Sequence, residues 1–176
     1  MKIIPHFVPM LLFILGMSLT GCTSTESQDW QESPTFEIPY TASDGKKSKY
    51  VLRGEEDRLG FLIDSYSEED GKPAEFMPIV AGQGNKYMWH FWGSAEEVAG
   101  KLKIIGINEK GEKHQILIAS DGKTWEYPEF GVNPHNGADT HVPSLMEFPT
   151  AGLWKLETYI GDRLFGSVVV NVQDGH

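Results

Sequence analysis

The sequence contains a single cysteine, Cys22, among its 176 residues. A disulfide needs two cysteines and a cysteine-based zinc site needs several, so neither can hold this chain together. A domain that follows Cys22 also has no thiol nucleophile. Its fold must therefore depend on the burial of a hydrophobic core.

The signatures of common enzymes are missing as well. The sequence has no Gly-x-Ser-x-Gly elbow and no His-Glu-x-x-His pair, from which many serine hydrolases and zinc proteases are recognised. Gly82-Gln83-Gly84 lacks the third glycine of a dinucleotide-binding loop, because Tyr87 stands in its place. We therefore predict no enzymatic activity. An extracellular hydrolase whose site is assembled from distant residues is the alternative.

Long apolar runs are scarce. The first run, from Phe7 to Leu19, is interrupted by Pro9 and falls short of the roughly 20 apolar residues that a membrane-spanning helix needs. Since Lys2 precedes it, the run is typical of a secretory signal. We predict that residues 1–21 are a signal peptide that is removed.

Basic residues are too few to balance the acidic ones, and the formal net charge at pH 7 is −10. The phosphates of a nucleic acid and the headgroups of an anionic bilayer both repel such a chain. We therefore expect no nucleic-acid partner, and no membrane contact other than a lipid tether.

Apolar residues are also sparse just after Cys22, where Ser, Thr, Glu, Asp, Gln and Pro dominate. This composition buries too little apolar surface to offset the entropy of ordering the chain. We predict a polar tether over residues 22–48. The alternative is an edge strand at Phe36, Ile38 and Tyr40, with Pro39 keeping it at the margin of a sheet.

Short apolar runs separated by turn residues fill the remainder of the chain, residues 49–176. Only Ser94–Ala99 has a helical pattern, with Ser94 as the N-cap. The predicted strands are Tyr50–Arg53, Leu59–Asp64, Phe76–Val80, Lys86–Trp92, Lys101–Asn108, Lys113–Ala119, His141–Glu147 and the two arms of a C-terminal hairpin. This spacing predicts one all-β domain, an antiparallel β-sandwich.

The C-terminal hairpin has the clearest strand pattern. Apolar and polar residues alternate on both sides of the turn at Gly161-Asp162, a pattern that predicts two paired strands. Because an isolated hairpin is only marginally stable, its apolar face needs a second layer. That face consists of Trp154, Leu156 and Ile160 before the turn and Leu164, Val168, Val170 and Val172 after it.

The most aromatic stretch, Lys86 to Gly93, is the first candidate site. As a strand it places Tyr87 and Trp89 on one face and Trp92 on the other. These three rings are candidate ligand-binding residues, because flat rings stack on the apolar faces of sugars or peptides. The alternative is a central strand packed on both sides.

The second candidate site lies between residues 131 and 144. Here His135, Asp139 and His141 offer two imidazoles and a carboxylate to zinc or copper, with His114 or His90 as a further ligand. The alternative is a structural loop in which Asp139 accepts hydrogen bonds from neighbouring amides. No other cofactor is predicted.

The segment Leu19-Thr20-Gly21-Cys22 resembles the lipobox of bacterial lipoproteins. This resemblance implies cleavage before Cys22, a diacylglyceryl group on its sulfur, and attachment to the extracytoplasmic face of the cell membrane. Two acyl chains bury enough methylene groups for a durable anchor, which a single chain does not provide.

Several segments together resemble a family of small lipoproteins from Bacillus and related spore-forming bacteria, whose domain has no known function. They are the lipobox, the strand Tyr87–Gly93, Gly137–Asp139 with His141–Ser144, Gly152–Leu156 and Leu164–Ser167. The step Ala151-Gly152-Leu153-Trp154 is also similar to the penultimate strand of bacterial immunoglobulin-like domains. The resemblance implies an immunoglobulin-like β-sandwich and supplies no catalytic residues.

The expected function is a non-enzymatic binding module of the cell envelope, held at the membrane by its lipid. Its expected partner is an envelope protein or a cell-wall component. A metal-binding lipoprotein that uses the loop of His135, Asp139 and His141 is the alternative.

Overall fold

The computed structural model describes residues 30–175. The predicted signal peptide, Cys22 and the first part of the predicted tether lie outside these residues. The described part contains thirteen strands and no helix, and so no helix that could cross a bilayer. The strands are β1 (Thr35–Thr41), β2 (Lys47–Glu55), β3 (Leu59–Ser67), β4 (Ile79–Val80), β5 (Asn85–Phe91), β6 (Gly100–Asn108), β7 (Lys113–Gln115), β8 (Leu117–Ala119), β9 (Gly122–Thr124), β10 (Glu126–Phe130), β11 (Thr140–Met146), β12 (Gly152–Ile160) and β13 (Arg163–Gln173).

The strands form two sheets. The seven-stranded sheet has the order β1-β2-β3-β5-β11-β8-β9. The six-stranded sheet has the order β10-β6-β12-β13-β4, with β7 also paired to β6. All pairings are antiparallel except that of β13 with β4. The predicted all-β, immunoglobulin-like sandwich is confirmed.

The core lies between the sheets and is built from alternating residues of the central strands. In the predicted hairpin, Trp154 pairs with Val170 and both side chains are fully buried. The facing sheet contributes Phe61, Trp89 and Phe91, which are also fully buried. Each large apolar side chain removed from water in this way contributes about 2 kcal/mol to folding.

One strand of the hairpin differs from the predicted alternation. Leu164 is 57% exposed, whereas Phe165 is buried and packs edge-on against Phe91 with ring centroids 5.3 Å apart. The cause is a register shift in the β12–β13 pairing at Thr158, which moves side chains near the turn to the opposite face. The expectation that Leu164 belongs to the core is therefore wrong.

The predicted tether is shorter than expected, because β1 lies within residues 22–48. This strand pairs with β2 along its whole length and forms one edge of the seven-stranded sheet. Pro39 is tolerated there because an edge strand has one row of amides outside the ladder. The edge-strand alternative is thus the one that the structure contains.

The predicted helix at Ser94–Ala99 is a single hydrogen-bonded turn. The Val98 amide donates to the Ser94 carbonyl at 3.1 Å, and the Glu97 carboxylate accepts from the Ser94 amide at 2.9 Å. These contacts are those of a helix start, but β6 begins at Gly100 and leaves no room for a second turn.

The predicted strand Lys113–Ala119 is divided in two. Its first half, β7, belongs to the six-stranded sheet, and its second half, β8, belongs to the seven-stranded sheet. The buried side chain of Ile116 marks the crossing. The short strands β9 and β10 were not predicted, because their sequences are mostly polar and resemble loops.

Gly54 is required next to the turn of the β2–β3 hairpin. Its φ of +151° is one that residues with a side chain rarely adopt, and an added Cβ would overlap the Leu59 carbonyl oxygen and lie 2.8 Å from the Gly60 Cα. Because these neighbours are backbone atoms, they cannot move aside cheaply.

We therefore expect Gly54→Ala to lower the free energy of unfolding by about 3 kcal/mol. Urea denaturation followed by tryptophan fluorescence measures this change. Gly131→Ala is the matched control, since nothing lies within 4 Å of its Cβ position. Equal stability of the two variants would contradict the role given to Gly54.

Candidate functional site

Two of the predicted ligand-binding aromatic residues lie in the core. Tyr87 is 8% exposed and Trp89 is fully buried. The Trp89 indole N–H donates to the Ser144 hydroxyl at 3.1 Å, and this bond links β5 to β11. Neither ring can stack on a ligand, so the ligand-binding interpretation is wrong for both and the core alternative is correct.

Trp92, the third of these residues, lies just after β5 at the outer side of the seven-stranded sheet. Its indole N–H donates to the Gly137 carbonyl at 2.9 Å, and its ring meets that of Phe36 edge-on at 5.8 Å. It borders an open groove of about 460 Å³, here called the Trp92 groove. Its lining residues are Phe36, Ile38, Pro39, Glu56, Asp57, Trp92, Asn136 and Gly137.

The segment between β10 and β11 forms one wall of this groove. His135 and Ala138 exchange two backbone hydrogen bonds, and Asn136 and Gly137 between them have φ of 47° and 87°. Two positive φ values in an Asn-Gly pair are typical of a type I′ turn. The Asn136-Gly137 pair is the signal in the sequence that indicates this turn.

Hydrogen bonds hold this segment against the sheet. The Thr140 hydroxyl donates to the Gly131 carbonyl at 3.1 Å and accepts from the Asn133 amide at 2.9 Å. The His141 amide donates to the Asn133 carbonyl at 3.1 Å, and Nδ1 of the His141 ring lies 2.8 Å from the same oxygen. The loop is therefore well anchored at both ends.

The predicted metal ligands are not arranged as a metal site. The Asp139 carboxylate accepts a hydrogen bond from the Gly93 amide at 2.9 Å, and its own amide donates to the Phe91 carbonyl. This is the structural-loop alternative. Within residues 30–175, no three His, Cys, Asp or Glu side chains are placed to hold a metal ion. The metal site predicted at His135, Asp139 and His141 is thus not supported by the geometry.

Two of these histidines do meet, together with a third. The imidazole cluster consists of His90, His135 and His141, with ring centroids 4.5 Å apart for His135 and His141, 5.8 Å for His90 and His135, and 6.3 Å for His90 and His141. His90 on β5 pairs directly with His141 on β11. The ring planes are inclined by only 29–34° to one another. The rings are therefore closer to a stacked arrangement than to one in which their nitrogens point at a common centre.

His90 is unusual within this cluster. It is fully buried, and neither of its ring nitrogens has a hydrogen-bond partner. Burial, reinforced by the neighbouring His135, lowers the pKa of His90 to about 4. Burial and the nearby His141 also lower the pKa of His135. His90 and His135 are therefore neutral at physiological pH.

These lowered pKa values make the folded state sensitive to acid. Unfolded histidines bind protons as the pH falls below about 6.5, while folded His90 resists protonation down to about pH 4. The folded state therefore loses stability as the pH falls from 6.5 to 4, and the loss due to His90 reaches about 3 kcal/mol at pH 4.

We expect His90→Phe to have a smaller loss of stability than the wild type between pH 7 and pH 5. Urea denaturation at each pH measures the two slopes, and parallel slopes would contradict the assignment.

Comparison with known proteins places this fold in context. No curated protein matches the chain. A crystal structure of a candidate lipoprotein from Bacillus anthracis is similar, with a TM-score of 0.56 and 22% sequence identity, over 82% of this chain and 87% of that chain. At this identity the similarity shows a shared fold.

The family comparison covers most of the chain. The sequence profile of a domain of unknown function, DUF4871, matches residues 22–170. This match confirms the resemblance drawn from the sequence motifs. The chain belongs to the DUF4871 family.

Proposed function

We propose that the protein is a lipoprotein anchored through Cys22 to the extracytoplasmic face of the cell membrane. The lipobox-like segment supports this, and the family match begins at Cys22 itself. The structurally similar Bacillus anthracis protein is also described as a candidate lipoprotein. The lipobox-like segment carries the proposal, because it contains the single cysteine to which the lipid would be attached.

The anchor would hold the sandwich close to the bilayer. Ser33 donates its amide to the Val169 carbonyl at 2.9 Å, and Glu32 pairs with Arg53 at 3.2 Å, so the chain is fastened to the domain from Glu32 onward. Residues 23–31 connect this point to Cys22. At about 3.5 Å per residue they reach about 30 Å at most, so the domain acts near the membrane surface.

We further propose that the domain is a non-enzymatic binding module that uses the Trp92 groove. Glu56 and Asp57 have no ion-pair partner among residues 30–175, and they lie beside the rings of Phe36 and Trp92. Carboxylates next to aromatic faces attract a positively charged side chain through both charge and cation–π contact. The partner that fits this chemistry is a basic segment of an envelope protein.

Labelled palmitate tests the anchor. We expect the wild-type protein to incorporate the label and to enter the detergent phase on Triton X-114 partition, because its two buried acyl chains dominate the distribution. Cys22→Ala should incorporate none, whereas the neighbouring Ser24→Ala should behave as the wild type. Release of unlabelled wild-type protein into the medium would refute the anchor.

Crosslinking in intact cells tests the binding role. The double variant Glu56→Gln/Asp57→Asn removes two charges from the groove while keeping side-chain shape, and asparagine tolerates the positive φ of residue 57. We expect the amount of partner crosslinked to this double variant to be about fivefold lower than the amount crosslinked to the wild type. The control Glu68→Gln/Glu69→Gln removes an acidic pair from another turn and should leave recovery unchanged. An equal yield from both double variants would exclude the groove as the binding surface.

A further inference from the structure

The outer face of the six-stranded sheet contains a second surface feature. Leu102 and Ile104 of β6 are fully buried, so Lys103 and Ile105, which alternate with them along the strand, point away from the core. The chain leaves this sheet after β7 and returns to it at β10. An open cleft of about 570 Å³ lies between β6, β7 and the segment that leads into β10. We call it the lysine cleft, after Lys103, Lys113 and Lys123, which line it.

Positive charge in this cleft is only partly neutralised, although the whole chain has a net charge of −10. Lys123 pairs with Glu147 at 2.9 Å. Lys103 and Lys113 form no ion pair with residues 30–175, and the Lys103 ammonium lies 5.4 Å from the centre of the Tyr159 ring.

The acidic residue of the cleft is already engaged. The carboxylate of Glu126 pairs with Lys101 at 2.9 Å. Two ammonium groups are thus free to bind an anion, and each gains a charge-assisted hydrogen bond by doing so.

A partly exposed tryptophan, Trp125, lies beside these lysines. Trp125 is 38% exposed and borders the cleft. The indole N–H groups of Trp89, Trp92 and Trp154 donate to acceptors in the protein, whereas that of Trp125 has no acceptor in the described part of the chain. Its ring offers a flat surface with a free donor at one edge.

We propose that the lysine cleft binds an acidic carbohydrate, that is, a sugar chain carrying anionic groups. The Trp125 ring would stack on the apolar face of a sugar ring, and Lys103 and Lys113 would bind its anionic groups. The Gln115 side-chain amide, which also lines the cleft, can donate to and accept from sugar hydroxyls. This site is separate from the Trp92 groove, which lies on the other sheet and has the opposite charge.

Oligogalacturonate is the probe, titrated calorimetrically into the full-length protein purified in detergent. Two further ligands separate the contributions: the methyl-esterified oligomer has the same sugar rings without charge, and oligoglutamate has the charge without sugar rings. We expect oligogalacturonate to bind, and both other ligands to bind at least about tenfold more weakly.

The matched variants are Trp125→Ala, Lys113→Gln and Lys110→Gln. The first two remove the ring and one free ammonium, and each should weaken binding about tenfold. Lys110 is an exposed lysine outside the cleft, so its substitution should leave the affinity unchanged. Because Trp125 and Lys113 are exposed, we expect the variants to unfold at the wild-type temperature, which a thermal scan verifies.

Three results would overturn the proposal. They are the absence of any heat of binding, equal affinity for oligoglutamate, which would indicate an acidic polypeptide as the ligand, and equal weakening by Lys110→Gln, which would indicate unspecific charge attraction. None of these results depends on the palmitate or crosslinking experiments. Failure of this proposal would therefore leave the proposals on the lipid anchor and the Trp92 groove unaffected.

Discussion

The burial of the apolar face of the β12–β13 hairpin against the opposite sheet is the interaction on which the rest of the molecule depends. No disulfide is available to this domain, so the two layers are held together chiefly by the exclusion of water between them. Trp154 and Phe165 from the hairpin side meet Phe148 and Phe91, at ring distances of 5.8 and 5.3 Å. These contacts fix how the layers lie on each other, and thereby which strand faces remain outside.

The pairing of β5 with β11 joins the core to the candidate site. On the inner side, Trp89 and Ser144 share a buried hydrogen bond. On the outer side, the same register places His90 directly beside His141. A one-residue slip would exchange the two faces, moving imidazoles into the apolar core and indoles towards solvent. The position of the imidazole cluster is thus a consequence of the register that packs the core.

The Trp92 groove and the lysine cleft differ in charge. Glu56 and Asp57 border the Trp92 groove on one sheet, and Lys103 and Lys113 border the lysine cleft on the other. Net charge conceals this division, because the acidic excess of the whole chain is a sum over both faces. A short tether that keeps the sandwich near the membrane would leave both faces accessible to components of the envelope. Under our two proposals, the Trp92 groove and the lysine cleft bind different classes of ligand.

The sequence by itself determined the fold class and most strands, because alternation and turn residues are local properties of the chain. It also contained the motif at Cys22 and the grouping of His135 with His141, which are close in sequence. Only the tertiary structure decided that Tyr87 and Trp89 are buried, that Asp139 binds the Gly93 amide, and that His90 joins the histidine pair. The lysine cleft likewise joins β6 to residues that follow β8, across a crossing between sheets that no local pattern indicated. The alternation of apolar and polar residues indicates that a strand has two different faces. Only the packing of one sheet on another determines which face is covered.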